Sequence, residues 1–212
     1  MRMLAATDIH SSNPGARAIR NAVLAHRPEL TLICGDVTHF GPLSWAEAFL
    51  ENLPGDVLAI PGNCDPPEMV SILEDLGISL HAKEVKIEGH AFVGLGASSL
   101  TPFNTPFELS EDEIRSTLRP LMKRGAILVT HDAPRGHLDK TAQGDSVGSA
   151  AIREVIEEFS PTFSIFGHIH ESPGVQEEKT IFVNPGAAMF GRYAIIDTET
   201  QEVLLKEDSR AF

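Results

Sequence analysis

The chain has 212 residues, 42% hydrophobic and 22% charged, which suits one globular domain over residues 1–212 with a substantial core. The formal net charge is −13, and the longest Lys/Arg cluster is the Lys123-Arg124 pair, which argues against a broad nucleic-acid surface. No apolar run approaches the ~20 residues needed to cross a bilayer, and Cys34 and Cys64 are too few for a disulfide framework.

The opening residues, Met-Arg-Met-Leu-Ala-Ala-Thr, reach Asp8 after an apolar stretch too short for a signal-peptide core, so a cytosolic protein is expected. Residues 3–6 read as a first strand ending at Thr7-Asp8-Ile9-His10. Asn13-Pro14-Gly15 reads as a loop, and residues 16–26 have helical spacing closed by Pro28. A buried strand at 30–34 runs into Gly35-Asp36-Val37-Thr38-His39. A helix is predicted over 45–52 and a strand over 56–60, the latter ending in Pro61-Gly62-Asn63-Cys64-Asp65. Pro67 is placed at the start of a helix that stops at Leu76-Gly77.

Residues 84–88 and 90–95 read as a hairpin around Gly89, followed by a long loop over 96–107. Ser110-Glu111-Asp112-Glu113 is a capping box for a helix to about Arg124, which Gly125 stops. Residues 126–129 form a strand ending at Thr130-His131-Asp132, and 132–147 is a polar loop. An amphipathic helix spans 148–159, and a buried strand at 162–166 ends in Gly167-His168-Ile169-His170. Short strands follow at 175–178, 180–184, 193–197 and 202–206. Strand–helix alternation with added hairpins is the pattern of a layered α/β domain.

His168 and His170, two apart at a strand end, point the same way because side chains alternate along extended backbone, which aims two imidazoles at one point, and Asp8 and His10 can likewise face one side. Alone, the histidine pair fits a polar loop equally well. The whole set decides. Asp8, His10, Asp36, Asn63, His131, His168 and His170 stand at the ends of five strands, the edge of an α/β sheet where sites form.

The ordered motifs Asp8-Ile9-His10, Gly35-Asp36, Gly62-Asn63-Cys64-Asp65, Thr130-His131 and Gly167-His168-Ile169-His170 resemble those of the calcineurin-like metallophosphoesterases, above all their small single-domain archaeal and bacterial branch. The resemblance implies a four-layer α-β-β-α sandwich of two mixed sheets flanked by helices. It implies two divalent metals, one held by Asp8, His10, Asp36 and His170, the other by Asp36, Asn63, His131 and His168, with Asp36 bridging. Imidazole and carboxylate ligands suit Mn, Fe, Ni or Zn alike. Two cations roughly 3.5–4 Å apart need a shared carboxylate to screen them, and with a bridging hydroxide the site keeps roughly one positive charge for a phosphate. The implied activity is hydrolysis of a small phosphorylated metabolite or cyclic nucleotide, a phosphodiesterase before a monoesterase, by attack of that hydroxide on phosphorus. A nuclease of the same superfamily and a protein-binding scaffold are the competing readings; the acid charge counts against the first and the full ligand set against the second.

Cys64 departs from the family pattern, which has a histidine after the asparagine to help protonate the leaving group. A thiol is a poorer donor, and His39, three residues after Asp36, is the candidate to compensate. Arg135 and His137 follow the His131 strand and are candidates to meet phosphate or plain surface; His26, His81 and His90 read as structural. Asn184-Pro185-Gly186 reads as a backbone-positioning turn. Oligomeric state, homo-oligomer included, is open.

Overall fold

The structure is a computed structural model that describes residues 1–209. The expected domain runs to 212, so its last three residues lie outside the described ones. The first sheet is built from β1 (Arg2–Ala6), β2 (Leu30–Cys34) and β3 (Val57–Ile60), all parallel. The second comprises β4 (Lys83–Ile87), β5 (His90–Leu95), β8 (Ile127–Thr130), β9 (Phe163–Ile165), β10 (Gly174–Glu177) and β11 (Ile181–Asn184). Between β5 and β8 the short β6 (Ser98–Ser99) and β7 (Glu108–Leu109) pair with each other. The last strands, β12 (Arg192–Asp197) and β13 (Val203–Glu207), return to the first sheet. The orders are β13-β12-β1-β2-β3 and β10-β11-β9-β8-β5-β4. In the second sheet the inner strands are parallel, with antiparallel β10 and β4 at the edges.

Alternation along β1 shows how the layers form. Met3 and Ala5 face the second sheet and join Leu32, Ile60, Phe92, Val129, Phe163 and Ile165 in the inter-sheet core. Leu4 and Ala6 face outward, onto α1 (Asn13–His26), α2 (Leu43–Glu51) and α3 (Met69–Asp75). On the far side, Val93, Leu128 and Phe182 meet α4 (Glu111–Leu121) and α5 (Ala150–Phe159). The four-layer α-β-β-α order is therefore as the motifs implied. No helix among the described residues is long and apolar enough to cross a membrane.

Local chemistry moves several boundaries. Residues 13–15 are the first turn of α1, not a loop: the Ser12 side chain accepts from Gly15 N at 3.1 Å, and Pro14 sits where its missing N–H costs nothing. The Pro66-Pro67 pair forms the turn ahead of α3, which begins only at Met69. The Ser110–Glu113 capping box opens α4 as read, yet the helix ends at Leu121 because Pro120 brings no N–H to its last turn and Met122 is already extended.

Candidate metal centre

All seven ligand candidates sit on the loops that leave the carboxyl ends of β1, β2, β3, β8 and β9. Extended alternation does not bring them together, contrary to the simple reading of their spacing. Asp8, His10, Asp36 and His168 all take positive φ, at 56°, 50°, 50° and 66°. The chain turns sharply at each strand end, and Asp and His tolerate that left-handed region better than bulkier or branched residues do.

The turns separate the histidine pair that spacing alone would aim at one point. His170 Nε2 lies 3.3 Å from His10 Nε2 and 3.1 Å from Asp8 Oδ1. His168 instead packs edge-on against His131, with ring centroids 5.1 Å apart, and donates its backbone N–H to Asp8 Oδ2 at 3.1 Å. Two groups result. Asp8, His10 and His170 face one another, with Asp36 Oδ2 3.6 Å from His10 Nε2. On the other side Asp36 Oδ1 lies 3.4 Å from His131 Nε2, and Asn63 Oδ1 lies 2.9 Å from the same nitrogen.

These spacings fit metal ligation. Donors around one ion at bonds of ~2.1 Å stand about 3.0–3.4 Å from each other. Asp8 Oδ1 is buried and accepts no well-formed hydrogen bond, and two imidazole Nε2 atoms confront each other directly. Uncompensated donors of this kind inside a protein are costly unless a cation sits among them. Asp8, Asp36, Asn63 and His131 are each at most 3% exposed.

The supports are as specific as the ligands. His131 directs Nδ1 at the Cys34 carbonyl, 2.9 Å away, which leaves Nε2 free to face the centre. Asp65 is fully buried and accepts from Val37 N, Thr38 N, the Thr38 hydroxyl and Gly62 N. It thereby clamps the loop bearing Asn63 to the loop bearing Asp36. At Gly62 a Cβ would stand 2.1 Å from Asp36 Oδ1, and at Gly167 one would stand 2.0 Å from Thr7 Oγ1, so close approach demands glycine at both. Asn184 donates to the Ile169 carbonyl at 3.0 Å and accepts from Gly186 N, fixing the His168–His170 turn as its motif suggested. The structural role of Asp65 was not assigned from sequence, although the residue stands as the last position of Gly62-Asn63-Cys64-Asp65.

The acids and imidazoles of the centre shift one another's protonation. Burial raises the Asp36 carboxyl, but His131, His10 and His168 outweigh it and hold it far below the usual carboxylate range. Asp8 follows the same balance, with His170 and His131 outweighing burial. Burial would lower His131, yet the charges of Asp36 and Asp8 push it up to about 10. At His10 and His168 burial wins and lowers the imidazoles. Burial and then Asp36 push Asp65 up to about 6.

Cys64 and His39 adjoin the centre. Together with His10 they form a third group whose donor atoms lie within 4.8 Å of one another. His39 is exposed and meets His10 edge-on, ring centroids 5.5 Å apart. Burial, then Asp36, push the Cys64 thiol far up, so it stays protonated. His137 stacks on Phe182 at 3.9 Å, on the outer face of the second sheet, and Arg135 is exposed with its backbone N–H on Ser149. His26, His81 and His90 contact Tyr193, Gly96 and Thr198.

Two mixed sheets face to face, helices outside, and acids and imidazoles gathered at the strand ends define the metallophosphoesterase fold class. A family model for the calcineurin-like phosphoesterase superfamily domain matches residues 1–201, and the chain belongs to that superfamily. It is 35% identical to an uncharacterized protein of Methanocaldococcus jannaschii, over 98% of this chain and 96% of that protein. In shape it is similar to an archaeal phosphodiesterase, with TM-score 0.63, 18% identity, and coverage of 98% of this chain and 100% of that one. It is also similar to a dimetal phosphatase from Danio rerio, with TM-score 0.68, 13% identity, and coverage of 98% and 95%. At these identities the two structures speak to the fold.

Proposed function

We propose that the chain is a single-domain, dinuclear-metal phosphoesterase that hydrolyses a phosphodiester of a small metabolite or a cyclic nucleotide. The observation that carries this reading is the split carboxylate of Asp36, with Oδ2 toward His10 and Oδ1 toward His131. One carboxylate serving two imidazole-bearing groups is the arrangement two neighbouring cations require. Asp8, His10 and His170 would hold one cation, and Asn63, His131 and His168 the other. Divalent Mn, Fe, Ni or Zn, when bound, would supply positive charge for the phosphoryl oxygens and activate water at neutral pH.

The chain's own residues supply the rest. Asn63 offers a neutral oxygen, where a carboxylate would cancel the roughly single positive charge left to attract phosphate. His39 stands beside His10 at the solvent edge, where a leaving oxygen would depart, and would carry its proton. Cys64 would remain a neutral thiol. The archaeal phosphodiesterase and the dimetal phosphatase among the similar structures support the reaction class, one pointing to diesters and the other leaving monoesters in play. A screen of the metal-supplemented protein against natural phosphodiesters, cyclic nucleotides and phosphomonoesters tests the reading. Turnover of diesters first is the expected result; turnover of monoesters alone would overturn the diester preference, and no turnover with any metal would overturn the enzyme.

A further inference from the structure

Asn63 can present either end of its carboxamide to the centre, and only the oxygen end can ligate a cation. Hydrogen bonds outside the ligand set decide which. Asn63 Nδ2 lies 3.0 Å from Thr105 Oγ1. Thr105 Oγ1 lies 2.6 Å from Glu108 Oε1. The same Glu108 oxygen takes the backbone N–H of Thr105 at 2.8 Å and the hydroxyl of Thr101 at 2.6 Å.

The direction of each bond follows from the donor inventory. An ionised carboxylate only accepts, so Thr105 must spend its single hydroxyl hydrogen on Glu108. The bonds from Thr101 and Thr105 outweigh burial and hold Glu108 below the usual carboxylate range, which keeps it an acceptor. Thr105 is then left with lone pairs toward Asn63. The only Asn63 orientation that satisfies them places NH2 outward and Oδ1 inward, facing His131 Nε2 at 2.9 Å. A second tie, Phe107 N to the Asn63 carbonyl at 3.1 Å, fixes the same loop on the asparagine's backbone.

We propose that Thr105, polarised by Glu108, is a positioning residue that locks the Asn63 amide with its oxygen toward the cation position shared by Asn63 and His131. The idea rests on the metal reading above, and it concerns one of the two positions. A loop lying more than forty residues after Asn63 in the chain thus sets the polarity of that ligand.

Two measurements on the full-length protein test it. The first uses metal-free protein and the side-chain NH2 resonances of Asn63, assigned with Asn63→Asp. In the wild type these protons are slowed in exchange by their acceptor. Thr105→Val, close in shape but without the oxygen, should speed their exchange at least tenfold, and Thr105→Ser should restore the slow rate. The second is calorimetric titration with Mn2+. Thr105→Val and Glu108→Gln should weaken one of two binding events by about 10–100-fold, the range for lost outer-shell partners, and leave the other unchanged. Phe103→Ala, in the same loop, should change neither.

Unchanged Asn63 exchange in Thr105→Val, or unchanged Mn2+ affinity at both positions, overturns the positioning role. If the wild type binds no Mn2+ but Thr105→Val still frees the Asn63 amide, the hydrogen-bond relay stands and the metal reading fails. Should Thr105→Val not fold, Glu108→Gln and Thr105→Ser decide by the same two readouts.

Discussion

Asp65 grips Thr38 twice, accepting the backbone N–H at 2.7 Å and the hydroxyl at 2.8 Å through the same carboxylate oxygen. Its other oxygen takes Val37 N and Gly62 N. The side chain is fully buried, so Asp65→Ala would leave these donors without water or partner. Such a loss should lower stability by roughly 3–5 kcal/mol, read as a shift of the urea midpoint in metal-free protein. A shift below about 1 kcal/mol would mean that the two loops are held by something other than this clamp.

Stability should also depend on pH through His81, far from the ligands in the chain. Its Nδ1 accepts from Gly96 N at 3.0 Å and must be unprotonated to do so. Burial lowers this imidazole to about 4, with Lys83 adding to the fall and Glu74 opposing it. The sign follows from linkage. Above the unfolded value near 6.5 the ring is neutral in both states, and its contribution is complete. As pH falls from 6.5 toward 4, only the unfolded chain takes up the proton, and stability is lost. His81→Asn keeps an acceptor near Nδ1 without the titration. Between pH 7 and 5 the wild type should lose about 2 kcal/mol more than this variant. Parallel losses in the two proteins would contradict the assignment.

Much of the fold was legible because its strands are short apolar runs, such as Leu30–Cys34, bounded by glycine and proline. Helix starts were less so: the Ser12 cap recruits Asn13-Pro14-Gly15 into α1, although that triplet has loop composition. The seven site residues were visible as motif positions; the distances set Asp8, His10 and His170 on one side of Asp36 and Asn63 and His131 on the other, with His168 against the His131 ring. Spacing alone failed at His168 and His170, because positive φ at His168 ends the alternation on which the argument depended. Thr105 and Glu108 were hidden because a loop hydrogen bond has no period and no motif; Asn63 reaches Thr105 only through the tertiary fold.

The neighbourhood of Cys64 makes a kinetic prediction. Cys64→His should raise turnover of esters with alkoxide leaving groups far more than that of activated aryl esters. An alkoxide needs a proton as its bond breaks, whereas an electron-poor phenolate departs without one. General-acid help is typically worth about 10²–10⁴-fold. His39→Ala should show the converse loss on the same unactivated esters, since His39 shares the edge of the centre with His10 and Cys64. The double variant separates the two contributions. Equal effects on both ester types, in folded protein with metals bound, would remove position 64 and His39 from the leaving-group step.

The central claim is that Asp36 joins two cations, and electron paramagnetic resonance of the protein during Mn2+ titration tests it most directly. With the wild type, the second equivalent of Mn2+ should replace the hyperfine pattern of an isolated ion with the broadened spectrum of an exchange-coupled pair. Asp36→Ala should show no coupled signal at any loading. A wild-type spectrum that keeps the isolated-ion pattern at saturation, or a coupled signal that survives in Asp36→Ala, would contradict the account.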